Sequence, residues 1–148
     1  MSMYFDVGDE TLWNPSGGAG RLFLRQVEVF EAELGLPSGI GQGRHWGDPD
    51  TLEIDPRRYA EFTRALVERH CRTGHFVIHA LSEGFVATAV ALARRAGVEV
   101  LPPAPESGAV GDATGHDVQL PDGARTLTEA AVAALDTRAR ELDRHMAR

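Results

Sequence analysis

The chain has no lysine and only one cysteine among its 148 residues. All 15 basic residues are therefore arginine, and 22 acidic residues bring the net charge to -7. Proteins that bind nucleic acid depend on clustered basic side chains to contact phosphates, so this charge balance argues against a nucleic-acid partner. The single cysteine, Cys71, excludes an internal disulfide, and we expect it to be a small apolar filler rather than a nucleophile.

The sequence also lacks an uninterrupted apolar run of about 18 residues, the length that a membrane span requires. Its most apolar stretch, Phe76 to Ala93, is interrupted by His79, Ser82 and Glu83. The first residues, MSMYFDVGDE, are acidic and lack the basic start and apolar core of a secretory signal. We therefore expect a cytoplasmic protein that makes no membrane contact.

The N-terminal residues predict a β-hairpin from Tyr4 to Trp13. Gly8-Asp9 suits the centre of a type II′ turn, whose first position requires the positive φ that glycine adopts readily. This register pairs Val7 with Glu10, Asp6 with Thr11, Phe5 with Leu12 and Tyr4 with Trp13. An isolated hairpin is marginal in water, so we expect one face to pack on helices.

Two dipeptides predict helix starts, because proline suits the first helical position after an Asn or Asp cap. They are Asn14-Pro15 and Asp55-Pro56. Gly35 stands where a left-handed residue would end the first of these helices. The segment from Leu36 to Thr51, rich in glycine and containing two prolines, is predicted to be a loop.

A helix from Phe76 to Ala93 is predicted to be the buried centre of the fold, because it is apolar on nearly every side. Arg94 and Arg95 at its end are expected to face solvent, where they suit the helix dipole. The predicted fold is α+β and mostly helical, with an N-terminal β-hairpin packed on a small bundle of about four helices.

The chain is predicted to divide into three parts. Residues 1–101 form the hairpin and a three-helix core. Residues 102–125, rich in Pro, Gly and Ala, form a mobile linker. Residues 126–148 form an amphipathic helix that packs back on the core or on a partner.

The polar side chains of the central helix share one side of it. At about 100° per residue, His75, His79, Ser82 and Glu83 lie within roughly 100° of arc, and we call them the polar stripe. His79 lies one turn from both His75 and Glu83, and a carboxylate beside an imidazole is typical of acid–base catalysis. The candidate catalytic residues are His79, His75 and Glu83, and the candidate ligand-binding residues are Trp46, Ser82, Phe76 and Val86.

The same stripe offers an alternative as a metal site. Two side chains of the stripe one turn apart can share an ion, either His75 with His79 or His79 with Glu83. A further ligand would come from the preceding loop, such as His45, Asp48 or Asp50. Glu83 cannot join His75 on one ion, because they are roughly 12 Å apart along the helix axis. The structural alternative is that the polar stripe has no chemical role and is hydrogen-bonded to neighbouring helices or to water. We predict no cofactor, with a divalent metal as the alternative.

Three segments together resemble a known family: FDVGDETLWNP, ELGLPSGI and EIDPRRYAEF. Over roughly Met3 to Leu101 the chain is similar to small actinobacterial, Streptomyces-type proteins catalogued as a domain of unknown function. The resemblance implies a cytosolic single-domain protein. The resemblance assigns no catalytic residue in this sequence.

Two classes of function remain open. The first is a small cytosolic binding or assembly protein, an accessory that contacts itself or a pathway partner protein and has an apolar small-molecule pocket lined by the polar stripe. The alternative is a small enzyme of specialised metabolism that uses His-centred acid–base or metal-assisted chemistry. A stripe that faces a pocket favours ligand binding or catalysis, whereas a stripe sealed by side chains favours a structural role.

Overall fold

The computed structural model describes residues 2–43, 48–102 and 129–148, so residues 103–125 of the predicted linker lie outside the described part. The predicted α+β, mostly helical fold is confirmed. The strands are β1 (Tyr4–Val7), β2 (Glu10–Trp13), β3 (Ile40–Gln42) and β4 (Thr51–Ile54). The helices are α1 (Gly17–Leu34), α2 (Pro56–Arg72), α3 (Phe76–Arg95) and α4 (Glu129–Asp143).

The four strands form one sheet in the order β2-β1-β4-β3. β1 pairs antiparallel with β2 and parallel with β4, and β4 pairs antiparallel with β3. β3 lies within the segment predicted to be a loop, and β4 begins at its last residue. That prediction was wrong because strands of 3 and 4 residues carry little periodic signal and depend on partners far away in the sequence.

The hairpin is confirmed with one change of register. Gly8 has the expected positive φ, at 61°. The predicted pairs next to the turn form, but Phe5 then pairs with Trp13 instead of Leu12. The extra residue is a bulge, which allows the adjacent side chains of Leu12 and Trp13 both to be buried. Strict alternation would have turned one of them to solvent.

Local caps place the helix ends close to their predicted positions. α1 begins after Ser16, whose hydroxyl accepts a hydrogen bond from the Ala19 N–H, rather than after Asn14. It ends at Gly35, which has a left-handed φ of 65°. Asp55 caps α2 as predicted. The short-range chemistry of these caps is sufficient to fix the ends.

α3 is the central helix, but only its second half is buried. That half packs against α2 and α4. The first two turns expose four large apolar side chains: Phe76 is 83% exposed, Val77 56%, Ile78 43% and Leu81 75%. We call these four the apolar patch. The predicted burial therefore holds for the second half of the helix and not for its first turns, because hydropathy reports composition and does not tell which turns have neighbours.

α3 has the length and composition of a membrane span, with a mean hydropathy of 1.7 over an 18-residue window. Half of that window is buried inside the fold. The core helix of a soluble protein meets the same criteria, so composition alone does not make α3 a membrane segment.

The residues after α4 are tied to the core by Arg95, whose side chain is 8% exposed. Its guanidinium donates to Asp143 Oδ1 at 2.5 Å and to the backbone carbonyls of Leu12, Asp143 and Met146 at 2.6 to 2.8 Å. Arg94 pairs with a carboxylate of α4. The prediction that both arginines face solvent was therefore wrong, because their partners come from distant segments.

Candidate functional site

The fold separates the members of the polar stripe. His75 is the exposed N-cap residue of α3, and Glu83 is also exposed. Ser82 is 7% exposed, and His79 is half-buried. The His79 ring stacks on His70 of α2, with ring centroids 3.9 Å apart. The stripe therefore runs from solvent into the contact between α2 and α3.

A short chain of hydrogen bonds crosses this contact. The Ser82 hydroxyl donates to the backbone carbonyl of His79 at 3.3 Å. Its lone pairs are then free to accept a hydrogen bond from His70 Nδ1 at 3.0 Å. Sequence reasoning missed His70, although its position four residues after Leu66 and three after Val67 places it on the apolar face of α2.

The surroundings of His70 keep its imidazole neutral. The pKa of His70 is lowered to about 4, mainly by burial and to a smaller extent by the nearby His79, whereas Glu83 opposes the shift. The adjoining cavity has a volume of about 10 Å³ and is lined by His70, Ser82 and side chains such as Phe30. A cavity of that size holds at most a single water molecule, so no substrate fits beside this histidine–serine pair.

Among the described residues, the remaining predicted site residues are not brought together. Phe76 faces solvent, whereas Val86 is 1% exposed in the core. Trp46 and His45 lie outside the described residues. Within the described ranges, no group of three or more His, Cys, Asp or Glu side chains is arranged to hold a metal ion. Burial raises the pKa of the Cys71 thiol, which disfavours the thiolate that a nucleophile needs.

An open cleft of about 430 Å³ lies elsewhere, between the start of α1, the middle of α3 and the residues that follow α4. Its inner surface includes Trp13, Phe23 and Phe85, and its rim includes Leu22 and His145. Of the residues predicted to bind a ligand, the three that the structure describes, Ser82, Phe76 and Val86, do not line it. Sequence reasoning missed this cleft because its three walls come from segments far apart in the chain.

The low pKa of His70 predicts a specific pH dependence of stability. Its folded pKa lies below the ordinary value of 6.5, so the unfolded state takes up the proton first as the pH falls. Stability is complete above pH 6.5 and declines as the pH falls towards the folded pKa of about 4. We expect wild type to lose about 2 kcal/mol more than His70→Gln between pH 7.5 and pH 5, measured by urea unfolding.

The matched control is His75→Gln, which removes an exposed histidine just after the end of α2, the helix that contains His70. It should follow the wild-type pH profile, because it retains the buried His70. If His70→Gln and His75→Gln gave the same profile, His70 would not be the group that links protonation to unfolding.

These features define a small α+β domain with a half-exposed central helix and a sealed histidine–serine contact. The chain belongs to the family of unknown function DUF6086, whose model matches residues 1–148. The resemblance carried by the three sequence segments is thereby confirmed as membership of a domain of unknown function. No curated protein and no solved structure matches the chain.

Proposed function

We propose that this protein is a non-enzymatic assembly protein that associates with a second copy of itself through the apolar patch. The observation that carries the proposal is the exposure of Phe76, Val77, Ile78 and Leu81 on adjacent turns of one helix. Single exposed apolar residues are ordinary, but contiguous ones mark surfaces that another molecule covers.

The size of this surface fits the centre of a protein interface. Four large side chains at these exposures present several hundred square ångströms, which is the scale of functional patches on monomers. A stable complex buries about 800 Å² per partner, of which the rim is polar. Glu83, exposed on the next turn of α3, is available for a polar rim.

A second copy suits this patch because of its charge. A two-fold axis places the same surface of both subunits face to face, so charged side chains at the centre would meet like charges. Residues 76–82 contain no Asp, Glu or Arg. The patch therefore meets its own copy without repulsion and without needing a partner of opposite charge.

We further propose that the protein is actinobacterial and works in the cytoplasm as an accessory to a pathway, without a cofactor. The three family-like segments and the all-arginine basic composition, which is typical of GC-rich genomes, support the source. The enzyme alternative has less support, because its best candidate pair, His70 and Ser82, adjoins a cavity of only about 10 Å³.

The test is sedimentation velocity of wild type and of Leu81→Asp. Wild type should sediment as a dimer of the 16.0 kDa chain across the micromolar range. Leu81→Asp should sediment as a monomer, because two carboxylates would be buried opposite each other in the interface. It should still unfold cooperatively and keep the wild-type circular dichroism spectrum, since Leu81 is 75% exposed.

Ala134→Asp is the matched control, because it places the same charge on an exposed position of α4. It should remain dimeric. A wild-type protein that is monomeric throughout this range would contradict self-association, and so would a dimer that survives Leu81→Asp.

A further inference from the structure

We propose that the cleft between α1, α3 and the residues after α4 binds a neutral, largely aromatic small organic molecule. This site goes beyond the proposed assembly function and uses a different surface. Its volume of about 430 Å³ lies within the range of roughly 300–1,000 Å³ found for small-molecule pockets. It is also concave and mainly apolar, as such pockets are.

The inner surface of the cleft favours an aromatic ligand. Trp13 and Phe23 meet edge to face with ring centroids 5.4 Å apart, and Phe23 and Phe85 are also 5.4 Å apart. Trp13, Phe23 and Phe85 are 8%, 4% and 3% exposed, so they form a rigid floor of which only a small area is open to a ligand. Ring edges carry partial positive charge and attract the face of another aromatic ring.

The rim favours a neutral ligand. It offers the side-chain amide of Gln26, a hydroxyl at Thr88 and the exposed imidazole of His145. Within the described ranges no carboxylate or guanidinium lines the cleft, although the chain is rich in both. A charged ligand would lose its hydration there without gaining an ionic partner, whereas a neutral ligand gains hydrogen bonds at its edge.

Gly84 keeps space open on the α3 side of the cleft. It lies in the interior of α3, where glycine is less favourable than alanine. Its φ is not positive, and a Cβ added to it would meet nothing within 4 Å. Gly20 is different, since a Cβ there would approach the Met3 sulfur to 2.6 Å. Neither backbone nor packing requires glycine at position 84; the missing side chain leaves the cleft open.

The residues after α4, which form the third wall of the cleft, are held in place by hydrogen bonds without a ligand. The Asn14 N–H donates to the Ala147 carbonyl at 3.0 Å. Arg95 donates to the Met146 carbonyl at 2.8 Å. These contacts hold the residues after α4 against the hairpin. A preformed wall lowers the ordering cost of binding.

The test uses the neutral aromatic probe N-phenyl-1-naphthylamine in a Trp46→Phe background, where Trp13 is the remaining tryptophan. Binding in the cleft should quench Trp13 emission by energy transfer, with one-to-one saturation. Gly84→Leu, which fills the cleft from α3, should weaken binding by about tenfold or more. Ala19→Leu fills it from α1 and should do the same, so the result does not depend on one substitution. Gly84→Ala should raise the melting temperature, which checks that position 84 tolerates a side chain.

Two controls separate this site from the apolar patch. Ala134→Leu adds the same bulk at an exposed position of α4 and should bind the probe as wild type does. Leu81→Asp should also bind normally, even if it abolishes self-association, so the two proposals fail separately. Absence of saturable quenching would overturn the site. Wild-type affinity in folded Gly84→Leu and Ala19→Leu, or loss of binding in Leu81→Asp alone, would also overturn it.

Discussion

Val90→Asp is expected to abolish cooperative folding, whereas Arg25→Asp leaves the melting temperature nearly unchanged. Val90 is fully buried in the second half of α3, where it belongs to the hydrophobic core. An unpaired carboxylate at such a site costs about 4 kcal/mol or more, which approaches the whole stability of a small domain. Arg25 is exposed on α1, so a change of charge there disturbs no packing.

Thermal unfolding followed by circular dichroism compares the two variants directly. A sigmoidal transition should remain in Arg25→Asp and be lost or shifted far down in Val90→Asp. Similar melting temperatures for both would mean that the second half of α3 is not the centre of the core.

Arg95→Met is the second substitution with a large expected effect, a loss of about 3 kcal/mol in the free energy of unfolding. Methionine keeps most of the apolar stem but removes every donor to Asp143 and to the Leu12 and Met146 carbonyls. Each hydrogen bond from a charged donor contributes more than a neutral one, and the carbonyls left without their donor are partly buried.

Arg140→Met is the matched control. Arg140 pairs with Asp136 within α4 at 3.1 Å, and its side chain is 68% exposed. An exposed pair of this kind contributes less than about 1 kcal/mol. Urea unfolding of both variants should therefore give clearly different midpoints. Equal midpoints would mean that water replaces the Arg95 contacts at little cost.

Local chemistry explains which parts of this fold the sequence could predict. Asp55 beside Pro56, Gly35 and Gly8 each act through their own backbone geometry, so their positions were predictable. The pairing of β1 with β4 was not, because it joins segments separated by the whole of α1. The Leu12 bulge was equally hidden, since it results from the burial of two adjacent side chains on the finished core.

In the candidate sites, too, local features were predictable from the sequence and contacts between distant segments were not. The sequence placed His79 and Ser82 near each other, but their partner His70 comes from α2. It also could not distinguish the exposed first turns of α3 from its buried end, because both are equally apolar. Gly84 is visible in the sequence, but only the structure shows that it lines a cleft.

Chemical cross-linking at position 81 tests the proposed self-association most directly. Leu81→Cys and Ala134→Cys, each in a Cys71→Ser background, would be treated with a short bismaleimide at micromolar protein concentration. If the apolar patch is the interface between two copies, Leu81→Cys forms a covalent dimer efficiently and Ala134→Cys does not. Equal and slow cross-linking of both variants would contradict an interface at the start of α3.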